Sequence, residues 1–75
     1  PEQVNVYPET ESRARVTWFM NLETDRYKVE YRKKVNPTET ENAWFTKETI
    51  DDYTLLNDLQ PDTEYEVRVA GIYRT

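Results

Sequence analysis

Residues 59–69 read Leu59-Gln60-Pro61-Asp62-Thr63-Glu64-Tyr65-Glu66-Val67-Arg68-Val69, a turn-forming half followed by an alternating one. Tyr65, Val67 and Val69 share one face of an extended chain and Glu64, Glu66 and Arg68 the other, the period-2 pattern of a strand buried on one side. Pro61 has a fixed φ and no N–H, so it suits a bend between strands. Tyr65 follows four residues later, where its ring can be buried while its hydroxyl bonds backbone upstream. The segment predicts a strand entered through a pinned corner.

Outward from this stretch the same period recurs. Ala14, Val16 and Trp18 alternate with Arg13, Arg15 and Thr17, and Tyr27, Val29 and Tyr31 alternate with Arg26, Lys28, Glu30 and Arg32. Weaker strand candidates lie around Val4 and Val6, over 44–50 and over 53–56, where β-branched and aromatic residues favour strands over helices. The count reaches six strands. Turn formers separate them at 7–11, 21–25, 36–42, 51–52 and 57–62, and no apolar stripe of helical spacing lasts beyond one turn. Such spacing predicts an all-β, antiparallel sandwich or barrel rather than βαβ units.

Composition narrows the chemistry. Seventy-five residues are expected to make one domain spanning 1–75. There is no cysteine and no histidine, which removes disulfides, thiolate or imidazole metal sites and a histidine base together. Ser12 is the sole serine, and no Asp-x-Asp-x-Asp-Gly loop is present, so neither catalysis nor calcium binding is expected, and no cofactor. The net charge of −5 disfavours nucleic acid. No run approaches the length of a membrane span, and the Pro1-Glu2-Gln3 start is unlike a signal peptide, so no membrane insertion is expected. Residues 1–38 hold seven basic and six acidic side chains and residues 39–75 three and nine, which predicts an acidic side.

Taken together, these motifs resemble the fibronectin type III family. Trp18 fills the slot of a Trp that ends the family's strand B, and Tyr27, Val29 and Tyr31 match its Tyr-x-Val-x-Tyr strand C. Trp44 matches a Trp on C′, and Leu59, Pro61, Thr63 and Tyr65 match the corner before strand F. The resemblance implies an immunoglobulin-like β-sandwich whose core holds Trp18, Tyr27, Val29, Tyr31, Leu56, Leu59, Pro61, Tyr65, Val67 and Val69. The family has seven strands, and here the seventh, G, is missing or truncated, because only Ala70 to Thr75 follow Val69. Strand F would then expose an edge open to strand exchange with another chain.

The basic run Arg32-Lys33-Lys34, with Lys28, offers a small patch for acidic ligands, but in the family's arrangement Lys28 and Arg32 read instead as cross-strand partners facing Glu64, Glu66 and Arg68. Partner contacts are expected at the end where the family's B–C and F–G loops meet, on Phe19, Met20, Asn21, Tyr73 and Arg74. The family's Arg-Gly-Asp tripeptide is absent, and Asn36-Pro37-Thr38 is blocked by proline as a glycosylation acceptor. The resemblance implies a non-catalytic protein-interaction, adhesion, matrix or receptor module, a spacer between neighbouring domains of a larger extracellular or cell-surface protein. Strand complementation through the F edge, an accessory domain of a larger enzyme and an intracellular muscle-type scaffold are the alternatives.

Overall fold

The computed structural model describes residues 3–34 and 43–73. Arg74 and the expected loop over 36–42 lie outside the described residues. Six strands run in chain order: β1 (Asn5–Thr10), β2 (Arg13–Thr17), β3 (Thr24–Lys33), β4 (Phe45–Thr49), β5 (Tyr53–Leu56) and β6 (Tyr65–Tyr73). They form two antiparallel three-stranded sheets, ordered β1-β2-β5 and β4-β3-β6. Because strand direction alternates, Asn5 beside Thr17 and Tyr73 beside Thr24 come to the same end of the sandwich.

Alternation produces the core. Val16, Trp18, Tyr27, Val29 and Leu56 are buried and in mutual contact, with Tyr31, Leu59, Val67 and Val69 packed partly buried against them. Trp18 follows β2 and is fixed by its N–H, which donates to the carbonyl of Asp52 at 3.1 Å, and its ring is tilted against Tyr27 at 5.4 Å between centroids. Burying these five side chains contributes on the order of 1.5–3 kcal/mol each. Residues on β6 are only half covered because β6 is a sheet edge.

Three expectations are corrected. Pro61 is exposed rather than core, since it lies on the outside of the bend that it shapes. Tyr7 and Pro8 were expected in a turn but continue β1, which an edge strand allows because the absent N–H of Pro8 would otherwise face away from the ladder. Tyr73 was expected at the start of a loop but still pairs with Thr24 at the end of β6.

The corner before β6 has the anticipated local bonds. Tyr65 Oη accepts the Gln60 N–H at 2.8 Å, Leu59 N–H donates to Ser12 O at 2.9 Å, and Thr63 Oγ1 donates to Pro61 O at 2.9 Å. Asp58 and Asp62 take left-handed φ values of 59° and 52°, which short polar side chains tolerate. Farther along β6, Gly71 is required by close approach rather than by φ. A Cβ there would stand 2.7 Å from Cγ2 of Thr24, itself buried. Gly71→Ala is expected to cost about 1–3 kcal/mol in urea denaturation, as overpacking does. Thr24→Ser, which keeps the hydroxyl bonded to Asn21 O, should restore most of that loss in the double variant.

Candidate functional site

The β2–β3 connection is short, polar in the middle and tied down. Asn21 N–H donates to Tyr27 Oη at 2.7 Å, and Glu23 N–H donates to Asn21 Oδ1 at 2.8 Å. Thr24 returns two bonds to Asn21 O, from its N–H at 3.1 Å and its hydroxyl at 2.9 Å. With its backbone held this way, the loop has no sheet face on which to bury apolar side chains. Phe19 is 67% exposed, Met20 57% and Leu22 91%.

The same end carries Ile50, in the turn after β4, and Tyr73, 70% and 67% exposed. The strand pairings place them there: Tyr27 faces Thr49, Thr17 faces Tyr53, and Thr24 faces Tyr73. Of the expected contact residues, Phe19, Met20 and Tyr73 therefore share one end as exposed side chains. Asn21 shares it too, but its side-chain oxygen and backbone are engaged in holding the loop. Leu22 and Ile50 were missed. The clue for Leu22 was an apolar residue inside a run of turn formers, where no neighbouring strand can cover it.

A second surface lies on the outward face of sheet β4-β3-β6. The Trp44 ring is stacked between two guanidinium groups, with Cζ of Arg32 and of Arg68 4.1 and 3.9 Å from its centroid. Cross-strand partners hold those cations: Arg32 Nε donates to Glu66 Oε2 at 3.2 Å and Arg68 Nε to Glu30 Oε1 at 2.9 Å. Register puts Arg32 opposite Glu66 and Glu30 opposite Arg68. The bond from Arg68, helped by the charges of Arg68 and Lys28, holds the Glu30 carboxyl below its usual pKa against the opposing pull of desolvation. Lys34 and Glu64 lie 3.7 Å apart, largely exposed, a pair of small energetic weight. This face is internally matched in charge and acts as a clamp on the sheet.

Among the described residues no cluster of acidic side chains is arranged to hold a metal ion, and no helix is long and apolar enough to cross a membrane. A family model for the fibronectin type III domain matches residues 1–75. The chain belongs to the fibronectin type III family. Among solved structures, a crystal structure of the FN1–FN3 domains of chicken CNTN1, a contactin, superimposes with a TM-score of 0.79 at 22% sequence identity. The match covers 97% of this chain and 26% of that one, so this fibronectin type III domain spans about a quarter of the structure it resembles. No curated protein matches the chain.

In this fibronectin type III domain the sheet edges are not alike. Edge strands invite pairing with other chains unless they are short, kinked or charged. β1 carries Pro8 and a register shift between Pro8 and Thr10. β5 has four residues. β4 has five and turns Lys47 inward, opposite Val29, where its ammonium donates to the Leu55 carbonyl of the other sheet. β6, at nine residues, has no proline and no inward charge. Beside it, between the sheets, opens a groove of about 620 Å³ lined by Val4, Val6, Pro8, Leu59, Tyr65 and Val67 among others. This is where a seventh strand would pack, and it explains why Val6, whose neighbour Val16 is fully buried, remains 45% exposed.

Proposed function

We propose that the domain is a non-catalytic protein-interaction module of a larger multidomain protein and that it contacts its partner through the β2–β3 end. The observation that carries this reading is the gathering of Phe19, Met20, Leu22, Ile50 and Tyr73 as exposed apolar side chains on one end of a rigid sandwich. Scattered surface apolar residues are ordinary, whereas five at one end, three of them on a loop held by four hydrogen bonds, support an interaction surface. Aromatic anchors with few rotatable bonds lose little entropy on binding. Arg74, next in sequence to Tyr73, belongs to the proposed contact set. A cell-surface or extracellular setting is proposed with it, supported by the likeness to a structure containing three such domains in series.

Panning a random peptide library on the folded domain tests the proposal. Most selected binders are expected to lose affinity for Phe19→Ala and Tyr73→Ala, both of which should leave the melting temperature in place. Binders indifferent to both substitutions would overturn it.

A second reading has its own observation: among the described residues β6 is paired on one side only along its nine residues, beside an apolar groove. There an extended strand of another chain would add to the sheet through main-chain bonds, with alternate apolar side chains filling the groove. Sedimentation of a monomer at all concentrations, together with failure of any panned strand-like peptide to protect the β6 amides from exchange, would remove this alternative.

A further inference from the structure

The end that presents the apolar side chains is also unbalanced in charge. Glu23 and Asp25 stand in and beside the β2–β3 loop, and Asp51 and Asp52 form the turn before β5, all of them exposed. Glu48 lies one pair farther down, opposite Lys28. Against them stand Arg26, shared between Asp25 at 4.0 Å and Glu48 at 3.6 Å, and Lys28 opposite Glu48, so that among the described residues Glu23, Asp51 and Asp52 have no cation within ion-pair distance. The outward sheet face differs, because there each of Arg32 and Arg68 lies directly opposite a glutamate. The far end holds Glu9, Glu11, Asp58, Asp62 and Glu64 with Arg13, Lys33 and Lys34, of which Arg13 is paired with Glu9 and Lys34 with Glu64.

From this we infer that the partner surface taken by the β2–β3 end is itself cationic: a protein segment in which apolar side chains that seat on Phe19, Leu22 and Tyr73 are flanked by lysine or arginine. This rests on the loop-end reading above and adds the chemistry of its partner. An apolar patch alone is permissive about what it meets. Uncompensated carboxylates at its rim change that, since an acidic partner would be repelled and a neutral one would leave the charges facing desolvated apolar surface. A cationic segment gains on both counts, and its encounter is accelerated at low salt. An anionic lipid surface is disfavoured by the same carboxylates.

The test uses the domain labelled with ¹⁵N and two peptide probes of about twelve residues, one of leucine and lysine, the other with glutamine for every lysine. The leucine–lysine peptide is expected to shift amides of 19–25, 50–53 and 73, and to bind about fivefold or more weakly when salt rises from roughly 50 to 300 mM. The double variant Asp51→Asn/Asp52→Asn should lose about threefold in affinity, while Asp58→Asn/Asp62→Asn, at the other end, should not change it. If the glutamine peptide binds the same amides as tightly, the charge inference fails and the loop-end reading stands. If neither peptide shifts those amides, both fail. Leucine–lysine shifts confined to 58–66, or binding indifferent to Asp51 and Asp52, also overturn the inference.

Discussion

Trp18→Ala is expected to lower the unfolding free energy by about 3–5 kcal/mol, the usual cost of removing a buried large aromatic. Trp18 is 3% exposed, contacts the Tyr27 ring, and joins the β2 side of the core to the turn at Asp52. A domain of this size has on the order of 4–11 kcal/mol in total, so the variant would be near the limit of folding. Trp18→Phe should cost much less. It keeps an aromatic ring in the core and discards an Nε1–H that no described residue accepts. Urea denaturation of the pair reads both, and a loss below 1 kcal/mol for the alanine variant would be incompatible with the packing described.

Tyr27→Ala is the second large effect, expected at about 3–5 kcal/mol for a side chain 2% exposed at the centre of the core. Tyr27→Phe separates ring from hydroxyl. It leaves the Asn21 N–H without its acceptor and should cost about 1–2 kcal/mol. The loss has a local consequence as well, because that bond anchors the loop presenting Phe19, Met20 and Leu22. Amide exchange at 20–24 is therefore expected to speed up in Tyr27→Phe more than in Tyr65→Phe, whose broken bond lies at the opposite end. Equal acceleration at both loops would show that Tyr27 stabilises the fold without shaping the site.

Five strands and the start of β1 were legible, because their inward faces alternate with charge or are bounded by turn formers, whereas residues 7–10 of β1 read as a turn. The family pattern around Pro61 and Tyr65 then supplied the topology. What could not be read was the consequence of pairing order. Val67 and Val69 have the same alternation as Val16 and Val29, yet they are half-buried because, among the described residues, β6 is an edge of its sheet. Pro8 looks like a turn residue until β1 is known to be an edge. Lys47 shares a face with Phe45 and Thr49, a pattern with no apolar stripe, so its inward course follows only from its register with Val29. The Trp44 stack likewise needs two registers at once, β4 on β3 and β6 on β3. Phe19, Met20 and Tyr73 were visible as candidates, whereas Leu22 and Ile50 stand out only once the β2–β3 loop and the β4–β5 turn are seen to lie at one end.

Asn5 and Tyr73 lie at the same end of the sandwich, which bears on how the ladders would respond to force applied at those two residues. Tension applied between these two points acts across the strands rather than along them. It would open the β1–β2 and β3–β6 ladders one rung at a time, starting with the Asn5–Thr17 and Tyr73–Thr24 pairs. Such an unzipping geometry yields at low force. A further strand running back along β6 would move the point of pull to the far end, load the ladders in shear, and make the same set of hydrogen bonds resist together.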